Sequence, residues 1–255
     1  MLYDEWDAVV TVFSHHDVFS LLCFYHYNDL FWRQGIGKLA VIFPGIGYTA
    51  DKPLLYYSRR IAAEHGFEIR IMNYTGFPPK IRGDRKRMEE SFRIAYEHSS
   101  EMLAEVDFSA FEDILFIGKS IGTVVAAKIA SDSPVRDRIR LVLYTPLEDT
   151  FSFDYGDAIV FTGDDDPWVG REKSPILSIC EKRGIPCSLV PDANHSLETK
   201  NALTDMAALL RIMRETERFI CGNDFSGSSE PESNLPGDAG CDMLTADAIG
   251  NCGLL

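Results

Sequence analysis

Ser120 stands between two glycines in the run Gly118-Lys119-Ser120-Ile121-Gly122. A serine hydroxyl is a weak nucleophile at neutral pH, so an imidazole must take its proton and a carboxylate must hold that imidazole in the right tautomer. The apolar run Asp113 to Ile117 precedes the motif and the helix-forming Thr123 to Ala130 follows it, which puts the serine at a strand-to-helix turn. In such a turn the backbone is strained and the hydroxyl stands above the sheet edge. The residues two before and two after must then lack bulk, so that strand and helix can pass closely. Gly118 and Gly122 meet that demand. The bare pattern also fits a glycine-flanked serine that caps a helix, and the flanking strand and helix favour the nucleophile.

Two later segments offer the partners. The strand-like Cys187 to Pro191 leads into Asp192-Ala193-Asn194-His195-Ser196, and the strand-like Ala158 to Gly163 leads into Asp164-Asp165-Asp166-Pro167-Trp168. Both groups sit just past strand ends, which lie on one edge of a parallel sheet together with Ser120. Of the six histidines only His195 has that setting: His15 and His16 precede the parallel part, His26 falls in a front strand, and His65 and His98 fall at or near helix ends, where capping is the ordinary role. Asp164, Asp165 and Asp166 are all candidates for the orienting acid. Asp164 and Asp165 also read as solvated turn residues, and Glu148, in Thr145-Pro146-Leu147-Glu148-Asp149 at the end of another strand, is a second candidate.

The elements that must position these residues alternate along the chain. Short apolar runs fill residues 8–43, ending in Lys38-Leu39-Ala40-Val41-Ile42-Phe43, a continuous run of the kind a strand buried on both faces requires. Asp51 and Pro53 open a helix that Gly66 stops, the strand-like Phe67 to Tyr74 follows, and a long helix pattern runs from about Asp84 to Glu105. Then come the strand at Asp113 to Gly118, a helix, strands at Arg138 to Tyr144 and Asp157 to Gly163, a helix, the strand Ile185 to Pro191 and a final helix to about Phe219. Strand-helix-strand repeats force parallel neighbours with helical crossovers. The expected fold is α/β, a doubly wound, mostly parallel sheet with helices on both faces and two antiparallel strands at the front.

Composition narrows the function classes. A formal charge of -14 repels nucleic-acid phosphates and anionic headgroups, so neither nucleic acid nor membrane is an expected partner. No apolar stretch approaches the roughly 20 residues that cross a bilayer, and the acidic Met1-Leu2-Tyr3-Asp4-Glu5 lacks the basic start of a signal peptide. A cytoplasmic protein is expected, its six scattered cysteines reduced. Neither metal-ligand spacing nor a full dinucleotide fingerprint occurs, so no cofactor is expected. Residues 1–221 read as one domain. Residues 222–255 contain no Lys or Arg and are rich in Gly, Ser, Pro, Asn and Asp, a composition that predicts a mobile acidic tail.

With these residues in view, 38–218 resemble the α/β-hydrolase superfamily. The resemblance rests on the elbow at Ser120, on the strand-end turn Pro44-Gly45-Ile46-Gly47 where members often carry His-Gly, on the Gly163 to Asp166 turn, and on the chain order Ser, Asp, His. It implies Ser120 as nucleophile, His195 as base, Asp166 as acid, and an oxyanion hole made by the backbone N–H groups of Ile121 and Ile46. Residues 145–156 are too few for the helical cap that many members insert there, so a lidless core is expected. Tyr48, Phe77 and Trp168 adjoin strand-end loops, where pocket lining or plain packing would equally place an aromatic.

The expectation is a serine hydrolase that cleaves a small carboxylic ester or thioester through an acyl-serine, with a small-molecule acyl substrate as its partner. A peptidase, amidase or acyltransferase on the same fold stays open. So does a binding protein without turnover, because a fold does not establish an activity.

Overall fold

A computed structural model describes residues 37–81, 83–168 and 175–222. The expected front strands, and the expected tail from residue 223 onward, lie outside the described residues.

Six strands form one sheet in the order β2-β1-β3-β4-β5-β6, and every pairing is parallel. The strands are β1 (Gly37–Phe43), β2 (Phe67–Ile71), β3 (Phe111–Lys119), β4 (Ile139–Tyr144), β5 (Ala158–Gly163) and β6 (Cys187–Val190). The central ones are covered on both faces, which is why they read as largely apolar runs instead of alternating ones. The connecting helices are α1 (Pro53–Glu64), α2 (Arg85–Leu103), α3 (Ile121–Asp132) and α4 (Pro175–Arg183), with α5 (Ala202–Ile220) closing the described chain. Pro53 takes the first position of α1, where its missing N–H costs nothing. The Asp84 side chain caps α2 by accepting from the Arg87 N–H at 3.1 Å.

Two apolar layers sandwich the sheet. One joins Leu39, Val41 and Phe43 to Ala95 and Leu103 of α2, Val125 and Ile129 of α3 and Ile176 of α4. The other joins Ala40 and Ile42 to Leu54, Leu55 and Ala62 of α1 and Ile212, Met213 and Ile220 of α5. Alternate residues of β1 thus serve opposite layers, as the two-residue period of a strand dictates. Helices cover both faces and the winding is double.

Two polar features brace the α1/α5 layer. Tyr144 sends its hydroxyl among the helices to meet Ser58 of α1 and Thr216 of α5, each at 2.7 Å. Arg140 grips Asp113 of β3 at 2.8 and 2.9 Å and donates to the carbonyls of Phe219 and Ile220 in the last turn of α5. Between β4 and β5 the chain makes one 3-10 turn, Glu148–Ser152, packed back on α3 through a 2.7 Å contact between Thr150 and Thr123 hydroxyls. No cap is inserted there.

Candidate active site

Ser120 joins the end of β3 to the start of α3 with φ 55° and ψ -123°, a conformation L residues avoid. Its N–H donates to the Tyr144 carbonyl at 3.0 Å, and its own carbonyl accepts from the N–H and the hydroxyl of Thr123 at 2.9 and 2.6 Å. The flanking glycines are sterically required. A Cβ on Gly118 would lie 2.8 Å from the Thr123 Cα, and one on Gly122 would run into the carbonyl oxygen of Phe43. Helix α3 can therefore cross the end of β1 only because residue 122 has no side chain.

The loops after β5 and β6 are pressed together at another glycine, Gly163, where a Cβ would collide with the carbonyl of Ala193. That approach lets the Asp165 N–H donate to the Ala193 carbonyl at 3.1 Å. It also turns Asp166 inward to 1 % exposure while Asp164 and Asp165 stay exposed. The loop carrying His195 is stapled by Asn194, whose side-chain oxygen accepts from the N–H of Ser196 at 2.7 Å and of Glu198 at 3.3 Å. Thr145, at the end of β4, donates its hydroxyl to the His195 carbonyl at 3.1 Å. The imidazole is thus held by backbone and side-chain contacts from two loops.

These constraints bring Ser120, His195 and Asp166 into one chain of hydrogen bonds. His195 Nε2 lies 2.8 Å from Ser120 Oγ, and Nδ1 lies 2.7 Å from Asp166 Oδ2. The other Asp166 oxygen accepts the Trp168 N–H at 2.9 Å, and the Trp168 ring packs on the imidazole with centroids 5.6 Å apart. With the carboxylate facing Nδ1, the proton of the neutral ring sits there and Nε2 is left to accept from the serine hydroxyl. Glu148, the other candidate acid, is exposed at the start of its 3-10 turn.

The turn after β1 lies against the elbow. Gly45 and Tyr48 exchange backbone hydrogen bonds of 3.1 and 3.3 Å, which fixes the turn that carries Ile46. Ile121 opens α3, so its N–H is one of the helix's unsatisfied donors. Among the described residues neither N–H meets an acceptor. Tyr48 itself is buried instead of lining a cleft, and Phe77 packs edge-on against Tyr74 at 5.9 Å.

Lys119 carries a signal that composition and motif reading passed over. It is 1 % exposed, and burial pushes its amine down to about 7 even though Asp166 and Glu198 pull the other way. Leu115 and Ile117 face the α1/α5 layer, so strand alternation sends Lys119 into that layer too. Among the described residues no group of His, Cys, Asp and Glu is arranged to hold a metal ion, and no helix is long and apolar enough to cross a membrane.

No protein-family model and no curated protein matches the sequence. Solved structures do match. They include Est1E of Butyrivibrio proteoclasticus, with a TM-score of 0.52 and 14% identity over 74% of this chain and 89% of that one. The esterase Pf2001 of Pyrococcus furiosus matches with a TM-score of 0.52 and 12% identity over 74% and 84%. Atu1826 of Agrobacterium tumefaciens, described as a candidate alpha/beta hydrolase, gives 0.50 and 15% over 74% and 87%. At such identities it is the architecture that is shared. The chain has the α/β-hydrolase fold.

Proposed function

We propose that the protein is a serine hydrolase acting on a small carboxylic ester or thioester through an acyl-Ser120 intermediate. The observation that carries this reading is the unbroken relay from a strained serine through His195 to a buried carboxylate, with links of 2.8 and 2.7 Å.

His195 Nε2 takes the Ser120 proton as Oγ attacks the acyl carbon, and the carbonyl electrons move onto oxygen. Asp166 stabilises the resulting imidazolium without taking its proton. The N–H groups of Ile121 and Ile46 receive the oxyanion, and such preorganised donors are each worth roughly 10²–10³ in rate. The imidazolium then protonates the departing alkoxide or thiolate. Water, deprotonated by the same imidazole, releases the acid and restores Ser120. The short 145–157 connection carries no inserted cap of its own, which suits small acyl groups over long chains that need walls to collect burial energy.

A fluorophosphonate, a tetrahedral electrophile that traps activated serines, tests the reading. Stoichiometric labelling of Ser120, absent in Ser120→Ala, is the expected result. A folded wild-type protein that resists labelling would make this fold a binding scaffold instead.

A further inference from the structure

Lys119 is the residue that the relay leaves unused, and its surroundings assign it a task. The Nζ atom lies 4.9 Å from the centroid of the Tyr48 ring, within the range of a cation–π contact. Tyr48 closes the turn that carries the Ile46 N–H, and its phenol oxygen accepts the Leu54 N–H in the first turn of α1 at 3.1 Å. The turn has almost no clearance over the elbow. A Cβ on Gly45 would lie 3.1 Å from the Lys119 carbonyl and 3.2 Å from the Ser120 Cβ. The position of the Ile46 donor relative to Ser120 Oγ is therefore set across one contact layer, and the Lys119–Tyr48 pair clamps that layer from below.

The groups around the amine are few. The Tyr48 ring of the β1–α1 turn contacts it, and the charges of Asp166, in the loop after β5, and Glu198, in the loop after β6, act on it. Tyr144, its register partner on β4, has its phenol engaged with Ser58 and Thr216 and stays neutral. Tyr48 also stays neutral, burial holding its phenol up at about 12. An apolar side chain would fill the slot with no desolvation cost. The ammonium thus makes a poor structural residue, and only its charge can grip the ring.

We propose that the charged Lys119 is a positioning residue, which holds the Gly45–Tyr48 turn in register with Ser120 so that the oxyanion hole is formed while the amine is protonated. The proposal rests on the reading of Ser120 as nucleophile. It gives the site a pH response of its own: as the amine loses its proton near pH 7, the ring is released and the Ile46 N–H loses its fixed aim.

The test is the rate at which a fluorophosphonate phosphonylates Ser120, measured from pH 6 to pH 9 in wild type, Lys119→Met, Tyr48→Leu and the double variant. Lys119→Met should label to full stoichiometry but about 10-fold or more slowly at pH 6, the scale of a desolvated cation–π contact. The wild-type to variant ratio should fall towards one by pH 9. Tyr48→Leu should match Lys119→Met, and the double variant should be no slower than either. A ratio of one throughout, a ratio that does not change with pH, or losses that multiply in the double variant would overturn the role of Lys119. Wild type that does not label at all would instead overturn the nucleophile itself, and the positioning role with it.

Discussion

Two chains of hydrogen bonds run through this molecule, alike in length and opposite in use. In the α1/α5 layer, Thr216 donates to Tyr144, Tyr144 to Ser58, and Ser58 to the Leu54 carbonyl at 2.6 Å. All three side chains are fully buried on regular elements. On the sheet edge, Ser120, His195 and Asp166 form links of the same length, but they stand on loops, on a residue of forbidden backbone geometry, and with the imidazole 19% exposed. The first chain ends on a backbone carbonyl, which can neither give nor take a proton, so it can only brace. The second ends on a partly exposed hydroxyl, backed by a base whose second nitrogen is already committed. The difference lies in how each chain terminates and in what strain its elements tolerate. Bond length does not distinguish them.

Breaking each chain at its middle or end should therefore damage different properties. Asp166→Asn keeps an acceptor for the Trp168 N–H but presents an amide donor to Nδ1, which drives the ring proton to Nε2 and removes the base. Turnover of a p-nitrophenyl ester should fall by roughly 10⁴. The melting temperature should move by no more than about 4 °C, the equivalent of about 1 kcal/mol in a domain of this size.

Tyr144→Phe should do the reverse. It strands the Thr216 donor and removes the donor that Ser58 accepts. The cost should be about 1–3 kcal/mol, read as a lower thermal midpoint of roughly 2–4 °C per kcal/mol, with kcat/KM unchanged. An Asp166 variant that unfolds, or a Tyr144 variant that loses activity without losing stability, would erase the contrast.

The same contrast explains what could be read from sequence. Strands buried on both faces advertise themselves as apolar runs without alternation, as Leu39 to Phe43 and Leu141 to Tyr144 do. The elbow was equally visible, because its glycines are dictated by contacts between neighbouring elements, Gly122 against the end of β1 among them. The local pattern alone leaves Asp164, Asp165 and Asp166 open, and only the family resemblance points to Asp166, the one that meets His195. That choice depends on Gly163 abutting Ala193, an approach between segments some 30 residues apart in the chain that no local pattern encodes. The three-member brace at Tyr144 was hidden for the same reason, since Ser58 and Thr216 look like ordinary helix-surface residues. Lys119 could have been found. Counting alternately along Leu115, Ile117 and Lys119 places its side chain in the interior, where a lysine asks for an explanation.

The chemistry at the serine end of the second chain is tested most directly by catching its product. The protein is mixed with p-nitrophenyl acetate, quenched in acid within the first turnovers, and the acylated peptide is located by mass spectrometry. An acetyl group on Ser120, formed together with one equivalent of p-nitrophenolate and absent in Ser120→Ala, is the predicted result. Acetyl carried by another residue, or ester hydrolysis that continues undiminished in Ser120→Ala, would contradict it.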